Sequence, residues 1–171
     1  AMAPHIQHVE RAFALPTWET RTDVPAWMRQ LAMVTTLHGM HFTGFMFNDY
    51  ARQLEILRWM ATQIPAERVL VFLASWDGRY YWDYPNYEVP SRMGGAAGFR
   101  RLIDDAQRLG FQIMPMFGAN SANRRQPVWK RIAAGATYKI DDDLYNLNWV
   151  DWNNDRHQDG WLTYMNVGAD A

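Results

Sequence analysis

Apolar residues gather in three nearly continuous runs, Leu31 to Gly39, Arg68 to Trp76 and Phe111 to Ala119. Unbroken apolar runs, as opposed to alternating ones, are typical of strands that are covered on both faces in a parallel sheet. Between consecutive runs, apolar residues recur every three or four positions, which predicts an amphipathic helix on each side of the second strand. The order strand, helix, strand, helix, strand predicts an α/β fold, because parallel neighbours need a crossover connection.

Local signals set the ends of these elements. Asn48 or Asp49 can cap the first helix, and Pro65 prevents its continuation because proline lacks a backbone N–H. Gly110 can adopt the left-handed conformation that ends the second helix. Pro115 falls inside the third run and removes a ladder donor, so we expect that strand to be short or irregular.

The remainder of the chain lacks a sustained period. We expect residues 1–24 to form an N-terminal arm, whose first three residues resemble a cloning remnant, and residues 25–171 to form the single domain. Apolar spacing by four within residues 128–136 indicates one short helix. From Tyr138 onward, Asn, Asp and Trp dominate, so we expect a long irregular C-terminal segment with one short strand around residues 161–165.

The composition restricts the class of partner without naming one. Lysine and arginine total 17 against 18 acidic residues with no basic stripe, so neither nucleic acid nor an anionic membrane is expected as a partner. No apolar stretch approaches the ~20 residues that span a bilayer, so we expect a soluble chain. The absence of cysteine excludes disulfides, thiolate metal sites and thiol nucleophiles. It weakly favours the cytoplasm and leaves the location unknown, since an exported protein needs no disulfide.

The segment that leaves the second predicted strand, SWDGRYYWDYPNY, combines aromatic rings with carboxylates. Loops beyond the carboxyl ends of parallel strands share one mouth, where ligands of α/β proteins bind. Sugars offer C–H faces to rings and hydroxyls to carboxylates, so we expect this loop to contact a saccharide. The candidate contacts are Trp76, Asp77, Tyr80, Tyr81 and Asp83. The alternative is a loop that packs its rings onto its own surface.

Two histidines and two other motifs bear on metals and cofactors. His38 and His41 form an H-x-x-H pair where the first predicted strand ends, but the spacing indicates no third metal ligand. We therefore expect these histidines to line the mouth as hydrogen-bonding groups. MGGAAGF lacks the spacing of a phosphate-binding loop, and IDDDLYNLNWVDWNND lacks the calcium-loop pattern. Neither a metal nor a cofactor is expected.

Paired carboxylates are the one enzymatic arrangement whose ingredients are visible, since glycoside hydrolysis places two of them across the scissile bond. The candidates are Asp77, Asp83, Asp151 and Asp155, and the residues alone select no pair. We count Asp151 among the residues expected to contact the saccharide. An intact small hydrolase that uses Asp77 or Asp83 with Asp151 stays an alternative.

Four segments together resemble the N-terminal part of a glycoside-hydrolase-like barrel, of the group that contains α-amylases and α-galactosidases. They read MVTTLHGMHFTGFMFNDY, LVFLASWDGRYYWDYPNY, RMGGAAGFRRLIDDAQRLGFQIMPMFGAN and NWVDWNND. The likeness spans Pro25 to Gly168 and implies a (β/α)8, or TIM, barrel. Amylase-type enzymes carry an Asp and an Asn-His pair after the third strand. Here that stretch reads MPMFGAN, so the resemblance implies a substrate contact for Asn120 alone.

The chain is short for the family it resembles. A complete barrel takes ~250 residues, whereas these 171 supply about three strand-helix units and look truncated. We expect a partial (β/α) barrel that lacks the full catalytic carboxylate pair, binds a saccharide and is not active as an isolated chain. The alternative is a non-enzymatic assembly module whose aromatic loops form a protein interface. Open sheet edges or helix faces further predict a homo-oligomer.

Overall fold

The three apolar runs form one parallel sheet. A computed structural model of the chain describes residues 3–18, 20–41, 43–78, 86–118, 121–142, 146–150 and 156–165. Strand β1 is Met33–His38, β2 is Val69–Ala74 and β3 is Gln112–Pro115, in the spatial order β1-β2-β3. All pairs are parallel. The α/β class and the three parallel strands are thereby confirmed, and β3 is short because it ends at the predicted Pro115.

Two crossover helices connect these strands, as the spacing predicts. Helix α2, Tyr50–Ala61, begins where an Asp49 carboxylate oxygen accepts a hydrogen bond from the Arg52 N–H at 2.7 Å. Helix α3, Gly95–Leu109, follows Gly94 and ends at Gly110, whose φ angles of 116° and 108° lie in the left-handed region. A short N-terminal helix, α1, covers Ala3–Ala12, within the segment expected to form an arm.

The core lies between one face of the sheet and the two crossover helices. Alternate residues of β2, namely Val69, Val71 and Leu73, have at most 1% of their surface exposed. They pack with buried residues of α2 and α3. Those helix residues are Leu54, Leu57, Leu102 and Ala106. Burial of this apolar face is the main force that holds sheet and helices together.

The opposite face of the sheet is much less covered. Val34 pairs with Leu70, and Phe72 pairs with Met114, so these four residues share one face. Val34 is 62% exposed and Met114 43%, whereas Leu70 and Phe72 are half-buried. In a closed (β/α)8 barrel this face would line the packed interior. The described residues therefore leave an apolar sheet face open.

The second half of the chain contains the expected short helix and the expected strand near residues 161–165, and it has more strand than the expected irregular segment. Strands β4 (Ser121–Asn123), β5 (Asn146–Val150) and β6 (Arg156–Tyr164) form an antiparallel sheet in the order β4-β6-β5, and a short helix, α4, covers Trp129–Ile132. The first four residues of β5, NLNW, do alternate polar and apolar, as antiparallel strands do. That alternation is a weak signal, because this stretch and the one after it are rich in Asn and Asp. Both residue types are typical of loops.

Candidate functional site

The three strand exits lie side by side at one edge of the parallel sheet. Hydrogen bonds continue past the strand ends, from Gly39 N to Ala74 O at 2.9 Å and from Met40 N to Ser75 O at 3.3 Å. On the other side, Met116 N donates to Leu73 O at 3.1 Å. The structure thus brings together LHGMH, SWDG and PMFG, the stretches at which the chain leaves β1, β2 and β3.

The exit of β2 has an unusual backbone conformation. Ser75 has a φ of 55°, in the left-handed region that non-glycine residues rarely adopt. Gly78, at φ 75°, closes the turn by donating its N–H to Ser75 O at 3.0 Å. A Cβ on Gly39 would lie under 3.0 Å from the same oxygen. Close approach of two backbones and a tight turn therefore fix the geometry of this edge.

Both predicted histidines lie at the exit of β1 and contact the same phenylalanine. The ring centroids of His38 and Phe47 are 5.2 Å apart, and those of His41 and Phe47 are 6.4 Å apart. His38 Nδ1 lies 3.3 Å from Ser75 Oγ, and His41 Nδ1 lies 2.9 Å from Thr43 Oγ1. Ser75 is only 1% exposed, so its hydroxyl is not placed to attack a substrate. The histidines are half-buried hydrogen-bonding groups at the mouth.

Trp76 lies in the core, although the sequence places it among the expected saccharide contacts. It is 5% exposed, and its indole N–H donates to Met116 O at 2.8 Å. Its ring stacks on Phe99 at 4.9 Å and lies parallel to Tyr87 at 6.4 Å. Because packing occupies the ring, Trp76 fits the alternative of a loop that packs its rings internally. Its contribution is to anchor the strand exits.

Asp77 is also buried, at 4% exposure, close to two tyrosines. Burial, reinforced by the Asp77 charge, raises the pKa of the Tyr50 hydroxyl. Burial likewise raises the pKa of Tyr87; the Asp77 charge adds to this effect and a hydrogen bond to Gly118 opposes it. Tyr50 donates to Trp76 O, and Tyr87 donates to Gly118 O. These neutral phenols tie the loops after β2 and β3 to the core.

Among the described residues, the exposed rings at the mouth belong to phenylalanines that the sequence did not single out. Phe45 is 62% exposed, Phe47 50% and Phe117 63%. Phe45 and Phe47 meet edge to face at 4.9 Å. Their sequence signal is the alternation in GFMF, and Met46 bridges back to Met40 as in a small hairpin. The pair presents an exposed aromatic surface beside both histidines.

A cleft of about 320 Å³ lies between the segments that follow β1 and β2. Its lining residues are Met40, His41, Gly44, Gly78, Pro90, Ser91 and Arg92. The ionisable side chains among them are those of His41 and Arg92, and both are basic types. This cleft adds a polar site next to the phenylalanines.

The other predicted contacts lie outside the described residues. They are Tyr80, Tyr81, Asp83, Asn120 and Asp151. Among the residues that the structure does describe, no three His, Asp or Glu side chains group closely enough to hold a metal ion. Nor does any helix in the described ranges combine the length and apolar character needed to cross a membrane.

Comparisons with known proteins identify the fold. No protein-family model matches the chain, and no curated protein matches its sequence. Among solved structures, the chain is similar to an α-amylase from Lactobacillus plantarum, with a TM-score of 0.55, 14% identity and coverage of 85% of this chain and 34% of that one. It is also similar to the α-N-acetylgalactosaminidase NagBb from Bifidobacterium bifidum, with a TM-score of 0.66, 16% identity and coverage of 95% and 28%.

The same Bifidobacterium enzyme in a Gal-NHAc-DNJ complex has a TM-score of 0.67, 16% identity and coverage of 95% of this chain and 27% of that one. These neighbours are TIM-barrel glycoside hydrolases. The chain thus has the fold of part of such a barrel, which confirms the expected resemblance at the level of fold. It spans about a quarter to a third of the length of these neighbours.

Proposed function

We propose that this glycoside-hydrolase-like domain binds a saccharide at the carboxyl ends of its parallel strands. The observation that carries the proposal is the exposed Phe45 and Phe47 pair, which lies beside His38 and His41 at the exit of β1. Phe117, exposed at the exit of β3, is a further ring at the same end of the sheet. The partial barrel fold supports the location, because TIM-barrel proteins bind their substrates at this face.

The physical reason is the chemistry of a sugar ring. Its C–H face packs on an aromatic ring, while its hydroxyls need hydrogen-bonding partners at the edge of that contact. Phe47 offers the ring, and the two imidazoles in contact with it offer the polar groups. Exposed apolar rings that contact each other form a continuous patch, and such patches often mark binding sites. In this proposal Trp76 and Asp77 support the loops from beneath.

We further propose that the chain binds without hydrolysing. Retaining and inverting glycosidases need two carboxyl groups roughly 5 to 10 Å apart on either side of the bond. At the described strand exits the carboxylate that follows a strand is Asp77, and it is buried near Tyr50 and Tyr87. Asp49 is engaged as the cap of α2. The described strand exits therefore carry no exposed acid pair, and this supports a saccharide-binding role.

A second candidate function, assembly with another copy of the chain, rests on the open sheet face. Val34 on β1 is 62% exposed and Met114 on β3 is 43% exposed, and both strands are edges of the described parallel sheet. An apolar face beside an unpaired edge is the kind of surface that proteins cover by association. In this proposal two copies bury their open sheet faces against each other, and the aromatic loops stay accessible.

Saccharide binding is tested by calorimetric titration of the chain with a panel of neutral and acidic oligosaccharides. For the best ligand, Phe47→Ala is expected to weaken binding by about 3- to 10-fold, the value of one aromatic contact. Trp59→Ala is the matched control, since Trp59 is 65% exposed on α2, away from the mouth. Saccharides that bind the parent and the Phe47→Ala variant equally well, or a panel without any ligand, would contradict the proposal.

Self-association is tested by sedimentation velocity at micromolar concentration. We expect a dimer that Val34→Lys dissociates, because a charge on the open face cannot be buried without a partner. Ile140→Lys is the control, since Ile140 is fully exposed in a segment outside the parallel sheet. A parent chain that sediments as a monodisperse monomer would remove this second candidate.

A further inference from the structure

The cleft beside the aromatic surface contains an arginine that has no carboxylate partner among the described residues. We propose that Arg92, with His41 and Ser91, forms a subsite for a negatively charged substituent on the saccharide, a sugar carboxylate in the first instance. This inference rests on the proposed function and deepens it, because it names the class of sugar that the mouth selects. The three residues line one cleft of about 320 Å³.

Arg92 differs from most arginines near the sheet and its helices. Arg52, Arg58, Arg101 and Arg108 each lie within 4.0 Å of an aspartate or glutamate oxygen. Within the described ranges, Arg92 forms no ion pair, and its hydrogen bond goes to the Gly44 carbonyl oxygen at 3.3 Å. A guanidinium carries five N–H donors in a planar fork, so one such bond leaves most of its donors for a ligand.

The loop after β1 is shaped to accept this guanidinium. Gly44 has a φ of 86°, and a Cβ there would lie 3.3 Å from Arg92 Nη1. Glycine therefore lets the backbone approach the arginine and hold it over the cleft by the carbonyl contact. The His41 imidazole lines the same cleft, and no described lining residue is acidic. A carboxylate is the bidentate partner that a guanidinium in such a setting favours.

The neighbouring rings indicate that the anion belongs to a sugar. His41 lines the cleft and also contacts the ring of Phe47, so the polar subsite and the aromatic surface share a wall. A free inorganic anion would make no use of the exposed phenylalanines. A uronic acid residue fills both parts, with its ring on the phenylalanines and its carboxylate on Arg92.

The test compares uronic-acid oligosaccharides with the same compounds after reduction of their carboxyl groups to alcohols, using calorimetry on the full chain. We expect the acidic form to bind about 10-fold more tightly, as for a solvent-accessible charged hydrogen-bonded pair. Arg92→Gln should abolish that preference, and Arg92→Lys should retain part of it. Arg100→Gln, at an exposed arginine of α3, is the matched control and should behave as the parent. Circular dichroism verifies that each variant is folded.

The possible results separate the two proposals. Equal binding of acidic and reduced sugars, with Arg92→Gln unchanged, overturns the anionic subsite and leaves saccharide binding in place. If neither sugar form binds and no compound of the wider panel binds, the proposed function is overturned as well. Sulfated sugars and inorganic phosphate are titrated as the remaining ligands. Binding of phosphate alone, lost in Arg92→Gln, would show an anion site that takes no saccharide and would overturn the inference as stated.

Discussion

Substitution of Gly39 by alanine tests whether the exits of β1 and β2 are held by backbone contact. A Cβ on Gly39 would lie under 3.0 Å from the Ser75 carbonyl oxygen and 2.6 Å from Met93 Cε. That oxygen also accepts hydrogen bonds from Met40 N and Gly78 N. Overpacking costs about 1 to 3 kcal/mol, and disturbing two backbone hydrogen bonds adds roughly 1 kcal/mol.

We therefore expect Gly39→Ala to lower the free energy of unfolding by about 2 to 4 kcal/mol, or Tm by roughly 5 to 15 °C for a chain of this size. The assay is urea unfolding followed by tryptophan fluorescence. Gly98→Ala is the control: its Cβ would lie 3.4 Å from Tyr50 in a helix, and alanine there is neutral or stabilising by up to ~1 kcal/mol. A Gly39→Ala variant as stable as the parent would refute the close approach of the Gly39 and Ser75 backbones.

Two further predictions concern charge and burial. Because burial and the Asp77 charge hold the pKa of Tyr50 above its ordinary value of 10.0, the neutral phenol stabilises the fold below that pH. Stability should fall as the pH rises above about 10, and Tyr50→Phe should flatten this alkaline loss in urea titrations; an unchanged slope would contradict it. Asp105 pairs with Arg58 at 2.9 Å and also with Arg101 and Arg108. Asp105→Asn should therefore cost about 1 kcal/mol at low salt and less at 1 M salt, with exposed Asp104→Asn unaffected. Equal effects of the two Asp→Asn substitutions would argue against the ion pair.

The parallel half of the fold could be predicted from local pattern because its strands lie in nearly continuous apolar runs. The helices between them repeat every three or four residues and are followed by glycine or proline. Of the antiparallel strands, only the part of β6 near residues 161–165 was predicted, and β4 and β5 could not be predicted in the same way. Their stability depends on pairing between distant segments such as Ser121 and Tyr164, and their composition is typical of loops.

The candidate site could be predicted in position and only partly in its residues. The order of strands predicts the mouth, and His38 and His41 lie at the exit of β1, where their contact with a saccharide stays a prediction. Trp76 illustrates why ring content alone does not identify a ligand surface, since nothing in the sequence distinguishes a buried indole from an exposed one. Arg92 was missed because the cleft is formed by segments far apart in the chain, and sequence spacing carries no signal for such a cleft.

Chemical-shift mapping tests the central claim, a saccharide-binding surface at the carboxyl ends of the parallel strands, most directly. A ¹⁵N-labelled chain is titrated with the tightest oligosaccharide from the panel, and amide shifts are followed residue by residue. We predict saturable shifts at His41, Phe47, Arg92 and Phe117, with the helix α1 unaffected. Shifts confined to α1 or to the outer faces of α2 and α3, with these four amides unchanged, would contradict the assignment of the mouth.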